Sequence, residues 1–262
     1  MIRRLLSNDL PRSRWLAALL VVLFLGLALA PFLFPGVKAL NVAAKILVFV
    51  ALVASFDLLL GYTGIVSFAH TMFFGIGAYG VAIAMSSAEE PTWGALGLGV
   101  AAAMLVSLLL SLLIGLFSLR VRAIFFAMIT LAVASAFLTL ASQLSDFTGG
   151  EDGLSFSVPE WLSPSFELAE DPVVTPLGEV YGRQADQLLP ALCRRDAIFL
   201  TILRIVNSPF GRVLQAIRKA ISGPRRWATA RSSTAPCPTC CPALFATLAG
   251  CLLALWIRYN GF

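Results

Sequence analysis

WGALGLGVAAAMLVSLLLSLLIGLFSL, residues 93–119, carries no charged side chain from end to end. At 1.5 Å per residue such a run makes a helix about 40 Å long, more than the ~30 Å hydrocarbon core of a bilayer. A helix on the surface of a soluble protein would show a polar face, and this stretch has none. Further apolar blocks lie on either side, at 15–34, 40–60, 65–85, 123–144 and 243–257. Across the chain 59% of residues are hydrophobic and 13% charged, against about 25% charged in soluble domains. The expected fold class is all-α: a polytopic integral membrane helix bundle with about six or seven spans, one transmembrane domain over 1–262.

Arg3, Arg4, Arg12 and Arg14 precede the first block. A basic start before an apolar run also fits a signal peptide. The length of the run, its closure by Pro31 and Pro35, and the lack of a small-residue cleavage site favour a retained span. Basic residues mark the cytoplasmic side, so the N-terminus is expected in the cytoplasm. Arg120 and Arg122 then fall in a cytoplasmic turn and Glu89 and Glu90 in an external one. The stretch 145–190, with Asp146, Glu151, Asp152, Glu160, Glu167, Glu170, Asp171 and Glu179, reads as an external loop. Arg204, Arg212, Arg218 and Lys219 return to the cytoplasm if one more span lies before about residue 205. The net charge of +5 therefore follows from topology, and no nucleic-acid partner is expected.

Gly75-Ile76-Gly77-Ala78-Tyr79-Gly80 matches the G-x-G-x-x-G pattern. A dinucleotide site needs a strand before it and a helix opening at the glycines. Here the motif lies inside an apolar block, where small residues let helices approach closely. Gly61-Tyr62-Thr63-Gly64 marks either a short turn between spans or a broken helix of the kind that lines transport paths. Lys45 and Asp57 share one block and are read as lying near its ends, within reach of the interface. His70 is the single histidine, too little for a metal site, and is read as a polar contact within the bundle. No paired carboxylates or nucleophile–base pair lie in the spans, so an enzyme is not expected. Neither a metal nor a cofactor is expected. Cys237, Cys240 and Cys241 form a C-x-x-C-C cluster without further ligands, a weak metal signal.

Ser208 and Pro209 suit the start of a helix. Phe210, Val213, Leu214 and Ile217 then recur at i, i+3, i+4 and i+7, while Arg212 and Arg218 fall elsewhere. The pattern describes an amphipathic cytoplasmic helix within a loop at 206–242. It fits a helix on the membrane surface and a helix in a groove on a partner equally well.

Several of these stretches together resemble one family. They are Asp57–Gly64, Ser67-Phe68-Ala69-His70, Phe73–Tyr79, Arg122–Met128, Thr148-Gly149-Gly150-Glu151-Asp152-Gly153-Leu154 and Asn207–Arg218. The chain resembles the M-type permease subunit of bacterial ABC importers for branched-chain amino acids (leucine, isoleucine, valine). The likeness covers 37–183, 197–218 and 243–261. It implies a multi-pass protein of the bacterial plasma (inner) membrane that works with a second homologous permease, two cytoplasmic ATPase subunits and an external substrate-binding protein, in contact with membrane lipid. ATP would be bound by the ATPases. Ser208, Pro209, Phe210, Gly211, Arg212, Leu214, Ile217 and Arg218 would form the helix that couples to the ATPase. Gly61, Thr63, Gly64, His70, Gly75 and Gly77 are expected to lie along the substrate path. Relatives that carry urea or short amides make such a substrate the alternative, and a self-contained carrier or membrane enzyme would need intramembrane ionisable clusters that are lacking here.

The stretches 184–196 and 219–242 depart from the family pattern. Codon degeneracy allows family-like residues to be read in another frame across both, in register with Ala243-Leu244-Phe245-Ala246. Both are therefore expected to be out of frame, which would make Cys193, Cys237, Cys240 and Cys241 artefacts. Family members continue beyond Asn260-Gly261, so the chain is also expected to be truncated, and a non-functional fragment is a further reading.

Overall fold

A computed structural model describes residues 37–88, 91–118, 123–150, 153–157, 173–175, 178–180, 201–202, 204–205, 208, 211, 214 and 239–259, with isolated positions 15, 18, 22 and 26. In chain order the elements are α1 (Val37–Thr63), α2 (His70–Ser86), α3 (Trp93–Ser118), α4 (Ala123–Gln143), the single turn α5 (Ser145–Thr148), strands β1 (Val173–Thr175) and β2 (Gly178–Val180), and α6 (Cys240–Tyr259). The structure is that of a polytopic helical membrane protein. Stretches within α1, α3, α4 and α6 are long and apolar enough to cross a membrane, and α2 is a shorter apolar helix of 17 residues. Helices prevail because a chain in hydrocarbon must satisfy its backbone hydrogen bonds internally.

Sequence and structure differ at several boundaries. The block expected at 65–85 is helical only from His70, because Gly64 takes a left-handed conformation at φ 72° and closes α1 three residues beyond the expected end. The last span begins at Cys240 rather than 243. Pro242 sits in its first turn, where a missing N–H costs little. The all-α expectation lacked one feature: an antiparallel hairpin in the acidic loop, pairing Val173 with Val180 and Thr175 with Gly178. Most of the first expected span, most of the span expected before residue 205, the rest of the 145–190 loop and most of 206–242 lie outside the described residues.

α6 is the axis of the bundle and packs against α2, α1 and α3. Its contact with α2 is made by glycine. A Cβ at Gly77 would overlap the carbonyl oxygen of Thr247, and a Cβ at Gly250 would overlap that of Phe74. The two backbones therefore touch, as small residues at a membrane-helix crossing allow. Gly80 and Gly99 form a similar approach between α2 and α3, where added Cβ atoms would meet Ala103 and Ala84. A polar seam runs beside the axis. The Thr247 hydroxyl bonds Ser107 Oγ at 2.6 Å, Thr239 donates to the Ser111 carbonyl at 3.0 Å, and the Cys251 thiol donates to the Gly77 carbonyl at 3.3 Å. Thr239 and Cys240 belong to the 219–242 stretch, and both are buried as written.

Candidate functional site

The candidate site is the break between α1 and α2. Thr63, fully buried, donates its hydroxyl to the Leu59 carbonyl, and Ile65 N–H points back to Thr63 Oγ1 at 3.3 Å. Gly64 N–H reaches the Leu60 carbonyl at 3.0 Å, so the left-handed glycine caps the helix. From Thr63 to Ala69 burial alternates: Thr63, Ile65, Ser67 and Ala69 face in, and Gly64, Val66 and Phe68 face out. Only 65–67 lies between the left-handed Gly64 and a turn at Phe68–Ala69, where Ala69 already has helical dihedrals (φ −71°, ψ −2°). Non-helical backbone survives among membrane helices where protein or a water-filled cavity receives it. Phe68 N–H is received here by Thr130 Oγ1 of α4 at 3.1 Å.

His70, 5% exposed, opens α2 and reaches back across the break. Its Nε2 lies 2.9 Å from Ser55 Oγ on α1. Ser55 Oγ also lies within hydrogen-bond distance of the Leu52 carbonyl, at 2.6 Å, so this hydroxyl links the α1 backbone to the imidazole at the start of α2. The Phe56 ring meets the imidazole edge-on, with centroids 5.4 Å apart. Ser55–His70 and Thr130–Phe68 thus hold the break from both sides.

Of the residues expected along a substrate path, Gly61, Thr63, Gly64 and His70 belong to this one joint. Gly75 lies against Phe137 of α4 and Gly77 is enclosed at the α2–α6 crossing. Lys45 and Asp57 are both exposed on the bundle surface. Beyond the break, α2, α3 and α4 enclose a largely apolar cleft of about 670 Å³ lined by Ile76, Gly80, Gly99, Ala103 and Phe137 among others. A smaller pocket of about 210 Å³ lies at the far end of α2, between Met85, Ser86, Pro91 and Ser155–Ser157. It adjoins the Thr148–Gly153 turn, where Gly149, Gly150 and Gly153 all have positive φ. A Cβ at Gly149 would overlap the Gly153 carbonyl, which accounts for glycine at that position.

Of the expected coupling helix, Ser208, Gly211 and Leu214 are described, and Pro209, Phe210, Arg212, Ile217 and Arg218 lie outside the described residues. Ser208, expected to cap the following helix, donates its hydroxyl to the preceding Ile205 carbonyl at 2.6 Å. Leu214 is fully buried in a cluster with Leu58 and Ile202, backed by Ala54, Tyr62 and Phe245. Among the described residues no group of three His, Cys, Asp or Glu side chains converges as a metal site.

Sequence reasoning missed Thr130 and the seam of Ser107, Ser111, Thr239 and Thr247. Ser107 and Ser111, four apart in an otherwise apolar run, and Thr239 and Thr247, eight apart, each recur on one helix face, a signal that was there to be read.

The sequence profile of the family described as branched-chain amino acid transport system / permease component matches residues 38–260. No curated protein and no solved structure matches the chain.

Proposed function

The chain belongs to the branched-chain amino acid transport system permease family, and from that premise we propose that it forms one half of the transmembrane path of an ATP-driven importer for branched-chain amino acids. The family match over 38–260 carries this reading. On it, the chain is a transport component, not an enzyme, and sits multi-pass in a bacterial inner membrane with its N-terminus in the cytoplasm. It pairs with a second homologous permease. Two cytoplasmic ATPases bind the ATP, and an external binding protein delivers the substrate.

The joint at 61–70 is the part of the path this chain supplies. A non-helical break whose alternate residues face out of the bundle suits a surface completed by the partner permease. Gly64 provides a backbone that can turn, and the Ser55–His70 bond sets how far α2 stands from α1. The glycines deeper in α2 serve differently: Gly77 fixes α2 to α6, so the two helices would move as one body during alternating access.

The test is reconstitution of the chain with its partner permease, the ATPases and the binding protein in liposomes. ATP-dependent, saturable uptake of labelled leucine is the expected result. Uptake of urea but not leucine would overturn the substrate assignment, and no uptake of either would overturn the transport reading for this chain.

A further inference from the structure

At the end of the bundle where α2 passes to α3, two cavities adjoin. The apolar cleft of about 670 Å³ between α2, α3 and α4 and the smaller pocket of about 210 Å³ are both lined by Ala88. Three serines, Ser86, Ser155 and Ser157, line the smaller one together with the buried Met85 and Phe156. Of the described residues that line either space, none is charged. An apolar trough thus ends in a small polar cup.

The trough follows one face of each helix. α2 lends it Ile76, Gly80, Ala84 and Ala88, and α3 lends Ala95, Gly99, Ala102 and Val106, all at three- or four-residue steps. From Ile76 to Ala88 it runs about 18 Å. That is close to the depth of one leaflet, half of a ~30 Å hydrocarbon core. Its floor is the place where Gly80 and Gly99 bring two backbones together, and Phe137 and Leu144 of α4 stand opposite. Exposed Trp93 opens α3 near the polar end, as indole rings do at a membrane–water interface.

The dimensions discriminate between occupants. A helix of that length, about 10 Å across, would need roughly 1,400 Å³, twice the volume of the cleft. A branched-chain amino acid, with a side chain of a few carbons, would leave most of the trough empty. Its charged ends would find no counter-charge among the described lining residues. A single acyl chain is narrow, apolar and one leaflet long.

We propose that cleft and pocket form one binding site for a membrane amphiphile, with a single acyl chain along the Gly80–Gly99 floor and a polar head at Ser86, Ser155 and Ser157. Serine hydroxyls can donate to the oxygens of a phosphate or carboxylate head. The chain fills the gap between α4 and the α2–α3 pair, and so supplies apolar contact that α4 lacks from protein. The site is independent of what the chain imports.

Photolabelling tests this on the full chain, purified in detergent with a trace of phosphatidylglycerol that carries a diazirine on one acyl chain. Label mapped to 95–106 should fall about tenfold when dioleoyl phosphatidylglycerol is added in excess, whereas label at Leu131 and Leu138 should be weak and should not saturate. Displacement by oleic acid but not by phosphatidylglycerol would assign the same site to a free fatty acid. Ala102→Phe puts a ring into the trough from an exposed position and should lower the saturable label about tenfold. Leu105→Phe, exposed on α3 and outside the lining, should leave it unchanged. Ser155→Ala with Ser157→Ala leaves the trough intact and should weaken displacement by phosphatidylglycerol about tenfold. Label at 95–106 that neither amphiphile displaces overturns the site, and so does saturable label that survives both Ala102→Phe and the double serine substitution.

Discussion

α4 and α6 are both apolar enough to cross a bilayer, yet 61% of the α6 spanning window is buried and only 17% of that of α4. The difference lies in side-chain size and placement. α6 turns Ala243, Ala246, Ala249 and Gly250 into the bundle and adds Thr247 to bond Ser107. α4 turns Leu131 and Leu138 outward, and touches the rest at few points, Phe126 and Thr130 among them. Hydrophobicity drives a helix into the membrane but does not choose its neighbours, since lipid tails are as apolar as leucine. Close backbone approach and a few hydroxyls do choose them.

That contrast breaks most readily at the α2–α6 crossing. Gly250→Leu forces a side chain into the Phe74 carbonyl and should destabilise the bundle by about 3 kcal/mol or more, seen as loss of a monodisperse peak after mild heating in detergent. The same reasoning alters what Gly77→Leu does. As a path residue it would block uptake with the protein level unchanged. As a crossing residue it should lower the amount of folded protein in the membrane, and an unchanged level would restore the path placement. Gly149→Ala comes next, at about 2 kcal/mol, because the new Cβ requires both an unfavourable φ and the space of the Gly153 carbonyl. Proteolysis of the 145–157 region in intact vesicles should report it. Thr247→Val removes one interhelical hydroxyl pair and should cost about 1 kcal/mol in the melting transition. Leu138→Ala on the outer face of α4 sharpens the comparison from the other side, with a stability change within about 0.5 kcal/mol. A larger loss in the isolated chain would mean that α4 is held more tightly than its exposure indicates.

Much of the fold was legible because block length is a direct consequence of bilayer thickness. The arrangement of the blocks was not, since near-equal apolar runs give no order of packing. The break at 61–70 was visible in Gly61 and Gly64, but its anchor Thr130 lies 62 residues from Phe68, and local pattern cannot bridge such a distance. At Leu214 the period of four apolar residues revealed a face while leaving open what covers it. Apart from Ile202, the covering residues come from α1 and α6, far away in sequence.

The axial place of α6 also bears on how the chain is made. α1 to α4 leave the ribosome first, and during that interval Ser107 and the Gly77 carbonyl lack the bonds that Thr247 and Cys251 of α6 later make. A nascent chain stalled before residue 240 would present those groups to lipid. It would depend on the insertion machinery to shield them, and should be a substrate for membrane quality control rather than a stable half-bundle.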